Sequence, residues 1–326
     1  MISTMQSHGE NYGPHRDERA GPEGYHTPVL LAETVQCLEP AKGKLIVDGT
    51  LGGGGHSEAL LERGAVVIGL DQDPEAIAFA RERLKRFGDQ FHAIHCNFAD
   101  AERALDQYSV PLVDGVLLDL GISSHQVDVP ERGFSFREAG PLDMRMNPES
   151  SVTAAELVNT MSGEQLEKIF RSLGEEPAAR RIAIRIVRER SVRPLSTTDE
   201  LARLVEGVIP RRGKTHPATR VFQALRMAVN HELESLEAGL KLFSRRLATG
   251  GRMAVIAFHS LEDRAVKQFF RERSTEWLDR PEWTAPRRNP ACIFRKVTGK
   301  ALVAGEPEQR TNPRSRSAKL RAVEKI

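Results

Sequence analysis

The chain has 326 residues, 40% hydrophobic and 28% charged, with a formal net charge of +2. That leaves room for about two domains of ordinary globular composition. It excludes a globally basic nucleic-acid binder, so any basic surface must be local, and no apolar run reaches the ~20 residues of a membrane span. Cys37, Cys96 and Cys292 lie far apart with no CxxC pair, which argues against a disulfide framework or a zinc knuckle; no metal is expected.

Residues 1–24 are polar, rich in Gly and Pro, and lack the apolar core of a signal peptide. They are expected to form a disordered leader on a cytoplasmic protein. From Lys44 the pattern is α/β. "KLIVDG" reads as a buried strand, followed by a glycine loop and a helix near Ser57 to Glu62. "AVVIGLD" is a second strand; Asp73 then caps a helix with Pro74 at its first position. "FHAIHCNF" and "DGVLLDLG" read as strands three and four around a short helix at Ala101 to Gln107. From about Ala139 to Gly213 helical spacing continues without a convincing strand. One long helix is expected from Pro217 to Leu247, then a fifth strand in "RMAVIAFHS", another helix, and weaker strands in "IFRKVTG" and "AKLRAVEK". The expected architecture is an α/β, doubly wound, mostly parallel Rossmann-like sheet. It is built from residues 25–138 and 214–326, with an all-helical insertion at 139–213.

"VDGTLGGGGHS" places four glycines between a strand and a helix start. Glycine lets backbone approach a ligand there, and the helix N-terminus favours a negative group. The loop has no Gly-Lys-Ser/Thr ending, so it is no P-loop, and Ser57 stands where a dinucleotide fingerprint wants its third glycine. Asp71 ends strand two, where a carboxylate grips ribose hydroxyls. Asp48 and Asp119 end strands one and four. NAD and S-adenosylmethionine both fit Asp71, but gathered acids suit the cationic one.

"HTPVLL", "DGTLGGGGHS", "LDQDP", "LLDLGISS", "ERGFSF", "GPLDMRM", "HPATRVFQALRMAVNHEL", "FHSLEDR" and "NPRSRSAKLRA" follow in this order. Together they closely resemble the ribosomal RNA small subunit methyltransferase H family, over nearly everything from Tyr25 onward. The resemblance implies methylation of the exocyclic N4 of a cytidine in the decoding region of small-subunit ribosomal RNA, with S-adenosylmethionine as donor. It implies cofactor contacts at Gly54, Gly55, His56, Asp71, Phe98, Asp119 and Gln126. The assembled or nearly assembled subunit is the expected substrate, and a homodimer is a possible state. The alternatives are an NAD-dependent oxidoreductase and a non-catalytic RNA-binding assembly factor.

Amine methylation needs an acceptor for the amine protons. Asp119 is the first candidate, Ser123 the second, and Asp143 is a further catalytic candidate that contacts the base or braces an arginine. Carbon-5 methylation would need a cysteine nucleophile, and the loop after Asp119 has none. "ERGFSFREAGPLDMRM" supplies Phe134 and Phe136 for base stacking, flanked by Arg137 and Arg145. Clustered cations (Arg180, Arg181, Arg185, Arg188, Arg190 and Arg193; Arg211, Arg212, Lys214, Arg220 and Arg226; Arg310, Arg314, Arg316 and Lys319) are expected to give one basic, RNA-facing surface. Arg220 is taken as a substrate contact. His259 either orients the site or caps "SLEDR".

Overall fold

Short runs of consecutive apolar residues bury both of their faces, because successive side chains on a strand point to opposite sides. Val47, Ile68, Val116 and Val255 enter one core, while their neighbours Ile46, Val67, Leu117 and Ala254 enter another. A sheet covered on both sides follows. The computed structural model describes residues 28–211, 213 and 216–326; the leader expected at 1–24 lies outside them, as do Arg212 and Lys214.

The chain runs α1 (Leu31–Leu38), β1 (Leu45–Asp48), α2 (Gly55–Leu61), β2 (Val66–Asp71), α3 (Pro74–Leu84), β3 (Phe91–His95), α4 (Ala101–Gln107) and β4 (Val113–Asp119). Then come α5 (Ser124–Asp128), α6 (Ala154–Thr160), α7 (Gly163–Ser172), α8 (Ala179–Arg190), α9 (Thr198–Glu206), α10 (Thr219–Val229) and α11 (Glu232–Arg246). It closes with β5 (Leu247–Ala257), α12 (Ser260–Ser274), a two-residue ribbon of β6 (Trp277–Leu278) and β7 (Arg287–Arg288), then β8 (Phe294–Lys296), α13 (Glu306–Thr311) and β9 (Lys319–Lys325). The main sheet has seven strands in the order β3-β2-β1-β4-β5-β9-β8. β1 to β5 are parallel; β9 and β8 close the edge antiparallel. This is the doubly wound, mostly parallel sheet expected from the sequence. Its strand order reverses between β1 and β4, and ligands bind outside the strand ends at such a switch point.

The helices from α6 to α10 share a third core with Phe134, Leu142, Met144 and Met146. That core draws on residues 134–229, beyond both ends of the strand-free stretch. The single helix expected from Pro217 to Leu247 is two helices. Asn230 and His231 separate them, with His231 in the left-handed region at φ 49°. The break has a packing reason. α10 buries Val221, Phe222 and Leu225 in the helical core, whereas α11 buries Leu236, Leu240 and Phe243 against the sheet. Asn230 holds the junction: its Nδ2 donates to Met144 O and its Oδ1 accepts from Met146 N.

Candidate active site

A cavity of about 410 Å³ opens at the C-terminal ends of the parallel strands, between the sheet and the helical layer. Each strand end delivers a side chain to it: the glycine loop and His56 after β1, Asp71 from β2, Phe98 after β3, Asp119 from β4 and His259 after β5. Phe134, Phe136 and Phe222 face it from the helical side. Of the expected site residues, Gly55, His56, Asp71, Phe98, Asp119, Ser123, Gln126, Phe134 and Phe136 line this cavity. Gly54, Asp143, Arg137, Arg145 and Arg220 are not among its lining residues.

The glycine loop is shaped by packing. Gly54 turns the chain at φ 76°, a conformation that strains any residue with a Cβ. Gly55 packs so closely under Pro28 that a Cβ would sit 2.4 Å from the proline Cγ. Asp71 Oδ2 accepts from Gly52 N and Oδ1 from Asp73 N, both at 2.8 Å. Each carboxylate oxygen has two lone pairs, so one remains on each for the two hydroxyls of a ribose. Phe98 wedges its ring against α11, where a Cβ on Gly239 would lie 2.6 Å from Phe98 Cδ2.

Among the described residues, no lysine or arginine forms an ion pair with the strand-end acids. Asp48 is buried behind the cavity rather than on its wall, accepting from Ser57 Oγ at 2.7 Å and Thr50 N at 3.2 Å. Burial raises both Asp48 and Asp71 to about 6. Burial pushes Asp119 well above the usual carboxylate range, helped by the nearby charges of Asp48 and Glu262. One Asp119 oxygen, Oδ1, is buried without a hydrogen-bond partner. The other lies 3.5 Å from His56 Nδ1. His56 is no cation here: its Nε2 is 3.0 Å from Val29 O, which can only accept, and burial lowers the imidazole to about 4. The neutral ring therefore turns a bare nitrogen toward Asp119.

The other acids near the site are braced. Gln126 donates from Nε2 to Asp73 Oδ2 at 2.8 Å, accepts from Ser123 N at 3.1 Å, and closes a capping box with the Ser123 hydroxyl. Asp73 also holds Arg132 at 2.9 Å. Asp143, a catalytic candidate expected either to contact the base or to brace an arginine, does the second: it forms a two-pronged pair with Arg145 at 2.7 and 2.8 Å, which accounts for both its carboxylate oxygens. Arg145 reaches on to Pro148 O and Ser150 O, so the two residues fasten their own loop. Arg220 donates to Glu175 O and Arg137 is exposed. Phe134 is largely absorbed in the helical core, while Phe136 stacks edge-on to Phe222 with centroids 4.7 Å apart.

The sequence reading missed the polar wall opposite Asp119. Arg226 grips Glu232 with two bonds of 2.8 Å, across the break that joins α10 to α11. Glu262 Oε2 accepts from Phe258 N and His259 N, and His259 Nε2 lies 3.1 Å from its Oε1. His259 is thus the cap of α12, the second of its two expected roles. Spacing gave a signal only for this pair, since His259 and Glu262 stand three apart like a capping box. Glu232, His259 and Glu262 also have donor atoms within 4.8 Å of one another. Arg226 covers both oxygens of Glu232, and a guanidinium there opposes a cation.

Two nucleoside cofactors suit Asp71, and their charges separate them. A pyrophosphate dianion would add negative charge beside carboxylates that already repel. A sulfonium with an ammonium would relieve them, and the unpartnered oxygen of Asp119 meets that requirement. The class is that of the S-adenosylmethionine-dependent methyltransferases, and the oxidoreductase reading is set aside. Residues 23–326 match the MraW methylase family, and the chain belongs to it. It is 51% identical over 314 residues to the ribosomal RNA small subunit methyltransferase H of Pelobacter propionicus, covering 92% of this chain and 98% of the relative. It is 49% identical over 316 residues to the protein of that name from Trichlorobacter lovleyi, covering 93% and 99%. No helix among the described residues is long and apolar enough to cross a membrane.

Proposed function

We propose that the enzyme methylates the exocyclic N4 of one cytidine in small-subunit ribosomal RNA, in the cytoplasm and on an assembled or nearly assembled subunit. The relatives' name supplies the RNA. The observation that carries the chemistry is the buried Asp119 carboxylate, one oxygen of which has no hydrogen-bond partner, in the lining of a cavity walled by phenylalanines.

The cofactor, when bound, supplies a methyl group already activated by its sulfonium. The residues of this chain do the rest. Asp71 takes the ribose hydroxyls, Phe98 packs against the adenine, and Gly55, His56 and Gln126 shape the remainder of the cradle. The N4 lone pair of cytosine is delocalised into its ring, so the amine is a weak nucleophile. Holding it at near-attack distance contributes several kcal/mol. Asp119 accepts a hydrogen bond from the amine as positive charge develops on it, and it takes up the proton that the amine loses. The target base leaves its stack to reach the pocket, where Phe136 and Phe222 offer aromatic surface. The helical layer forms the substrate side, and the exposed arginines of α8 (Arg180, Arg181, Arg185 and Arg188) present cations to phosphate.

The test is transfer of labelled methyl from S-adenosylmethionine to small subunits that lack the modification, followed by nucleoside analysis. The expected product is N4-methylcytidine. Label on carbon-5 or on a ribose oxygen overturns the amine mechanism.

A further inference from the structure

Arg314 belongs, by sequence, to the basic C-terminal stretch expected to face RNA. The structure turns it inward. It sits between α13 and β9, half-buried, and lines the cavity. Its Nη1 donates to Ile122 O at 3.0 Å and its Nη2 to Ser123 O at 3.2 Å. These are two consecutive carbonyls of the loop that follows Asp119. Its charge acts on Asp119, where it pulls the carboxyl down against burial, Asp48 and Glu262.

We propose that Arg314 is a positioning residue for methyl transfer: it clamps the loop after β4 by two backbone carbonyls and sets a cation beside the Asp119 carboxylate. This rests on the reading of Asp119 as the acceptor for the target amine. Three features support it. Both clamped carbonyls already take a bond from the guanidinium, while the Asp119 carboxylate keeps an oxygen without a hydrogen-bond partner. The other fastenings at the α5 end, the Ser123–Gln126 capping box, the Gln126–Asp73 bond and Val127 N to Ser123 O at 3.4 Å, reach no further back than Ser123, so it is Arg314 that ties in Ile122 O. Finally, a planar fork holds two consecutive carbonyls in one fixed geometry, whereas an ammonium on its flexible stem holds them less rigidly.

The groups around Asp119 define what its pH dependence reports. Thr50 Oγ1 accepts from its backbone N–H at 2.6 Å, neutral His56 faces it from α2, and Asp48 on β1 and Glu262 on α12 raise it. Arg314 is the cation that lowers it. Arg226 and Arg137 also act on Arg314, so both stay in place in every variant.

The experiment compares wild type, Arg314→Lys and Arg314→Gln in single-turnover methylation of unmodified small subunits at saturating cofactor, as a function of pH. Melting temperatures and the KM for subunits are measured alongside. For Arg314→Gln the rate is expected to fall about 10²-fold with KM for subunits little changed. The acid limb of its rate profile is expected to move to higher pH, because Asp119 has lost its cation. Arg314→Lys is expected to keep the limb where wild type has it and to recover only part of the rate. A rise in KM with the rate intact would make Arg314 an RNA contact and overturn the proposal. So would a slower rate with an unmoved limb, which is mere support of the fold. Asp119→Asn separates the two readings. If it remains active, the acceptor role itself fails; if it is inactive while Arg314→Gln behaves as wild type, only the role of Arg314 fails.

Discussion

Two sets of acids lie around the same cavity, and they live under opposite rules. Asp48, Asp71 and Asp119, at the tips of adjacent strands, are held by hydroxyls and backbone N–H groups or by nothing, and no cationic side chain pairs with them among the described residues. Asp73, Asp143, Glu232 and Glu262, on the loops and helices opposite, each have a basic partner: Arg132, Arg145, Arg226 and His259. The first set is raised by burial. In the second, Asp143 and Glu262 are held below the ordinary range, because basic neighbours outweigh the burial, although burial still raises Glu232 against the pull of Arg226. A buried acid without a cation costs stability. On the proposed function a positively charged cofactor relieves Asp71 and Asp119, which line the cavity, whereas the acids of the second set find their basic partners within the chain.

The comparison breaks if substitutions in the two sets behave alike. The largest expected effect is on Asp119→Asn, which keeps shape and removes charge. Methyl transfer should fall by about 10³-fold, while subunit binding persists and the cofactor-free protein melts no lower than wild type. A large loss of melting temperature would place Asp119 with the structural acids. Glu232→Gln should do the reverse. It strands Arg226 in a buried wall, where the loss of one partner costs about 3 kcal/mol, read as a shifted denaturant midpoint without added cofactor. An unshifted midpoint would remove the distinction from that side.

The same contrast explains what the sequence disclosed. The strand-end acids were legible because a parallel sheet fixes where its strand ends go: once β1, β2 and β4 were recognised as buried runs, Asp48, Asp71 and Asp119 had to gather at one edge. Even there the reading set Asp48 one layer too far forward. The bracing of Asp73 and Glu232 was illegible because their partners are distant in sequence or lie across a break. Arg226 and Glu232 are six residues apart, and they meet only because His231 turns left-handed between α10 and α11. Asp143 had two expected roles, contacting the base or bracing an arginine; "PLDMRM" offers Arg145 for the second, and the structure forms that pair. The inward turn of Arg314 had no signal at all in a stretch that also holds Arg310, Arg316 and Lys319. The family motifs closed part of this gap at Gln126, an otherwise unremarkable loop residue whose structural work is to tie Ser123 to Asp73.

The smallest expected effect sharpens the comparison by its direction. Burial holds Asp71 near 6 in the folded protein, above the ~4 of an unfolded carboxylate. Between those values the cofactor-free fold binds more protons at this site than the unfolded chain does. The site therefore contributes stability in acid that is lost as pH rises through about 6. A cationic cofactor requires the ionised form, so its affinity must move the opposite way over the same interval. For each such carboxylate, binding should tighten roughly tenfold between about pH 5 and 7 and then level off. Calorimetry in buffers of different ionisation enthalpy should show protons released on binding near the middle of that range. Asp143, already held low by Arg145, should add nothing to this trend, so Asp143→Asn must leave the slope as it is. An affinity that is flat with pH, or that tightens toward acid, would mean that the strand-end acids are not the counter-charge of the cofactor.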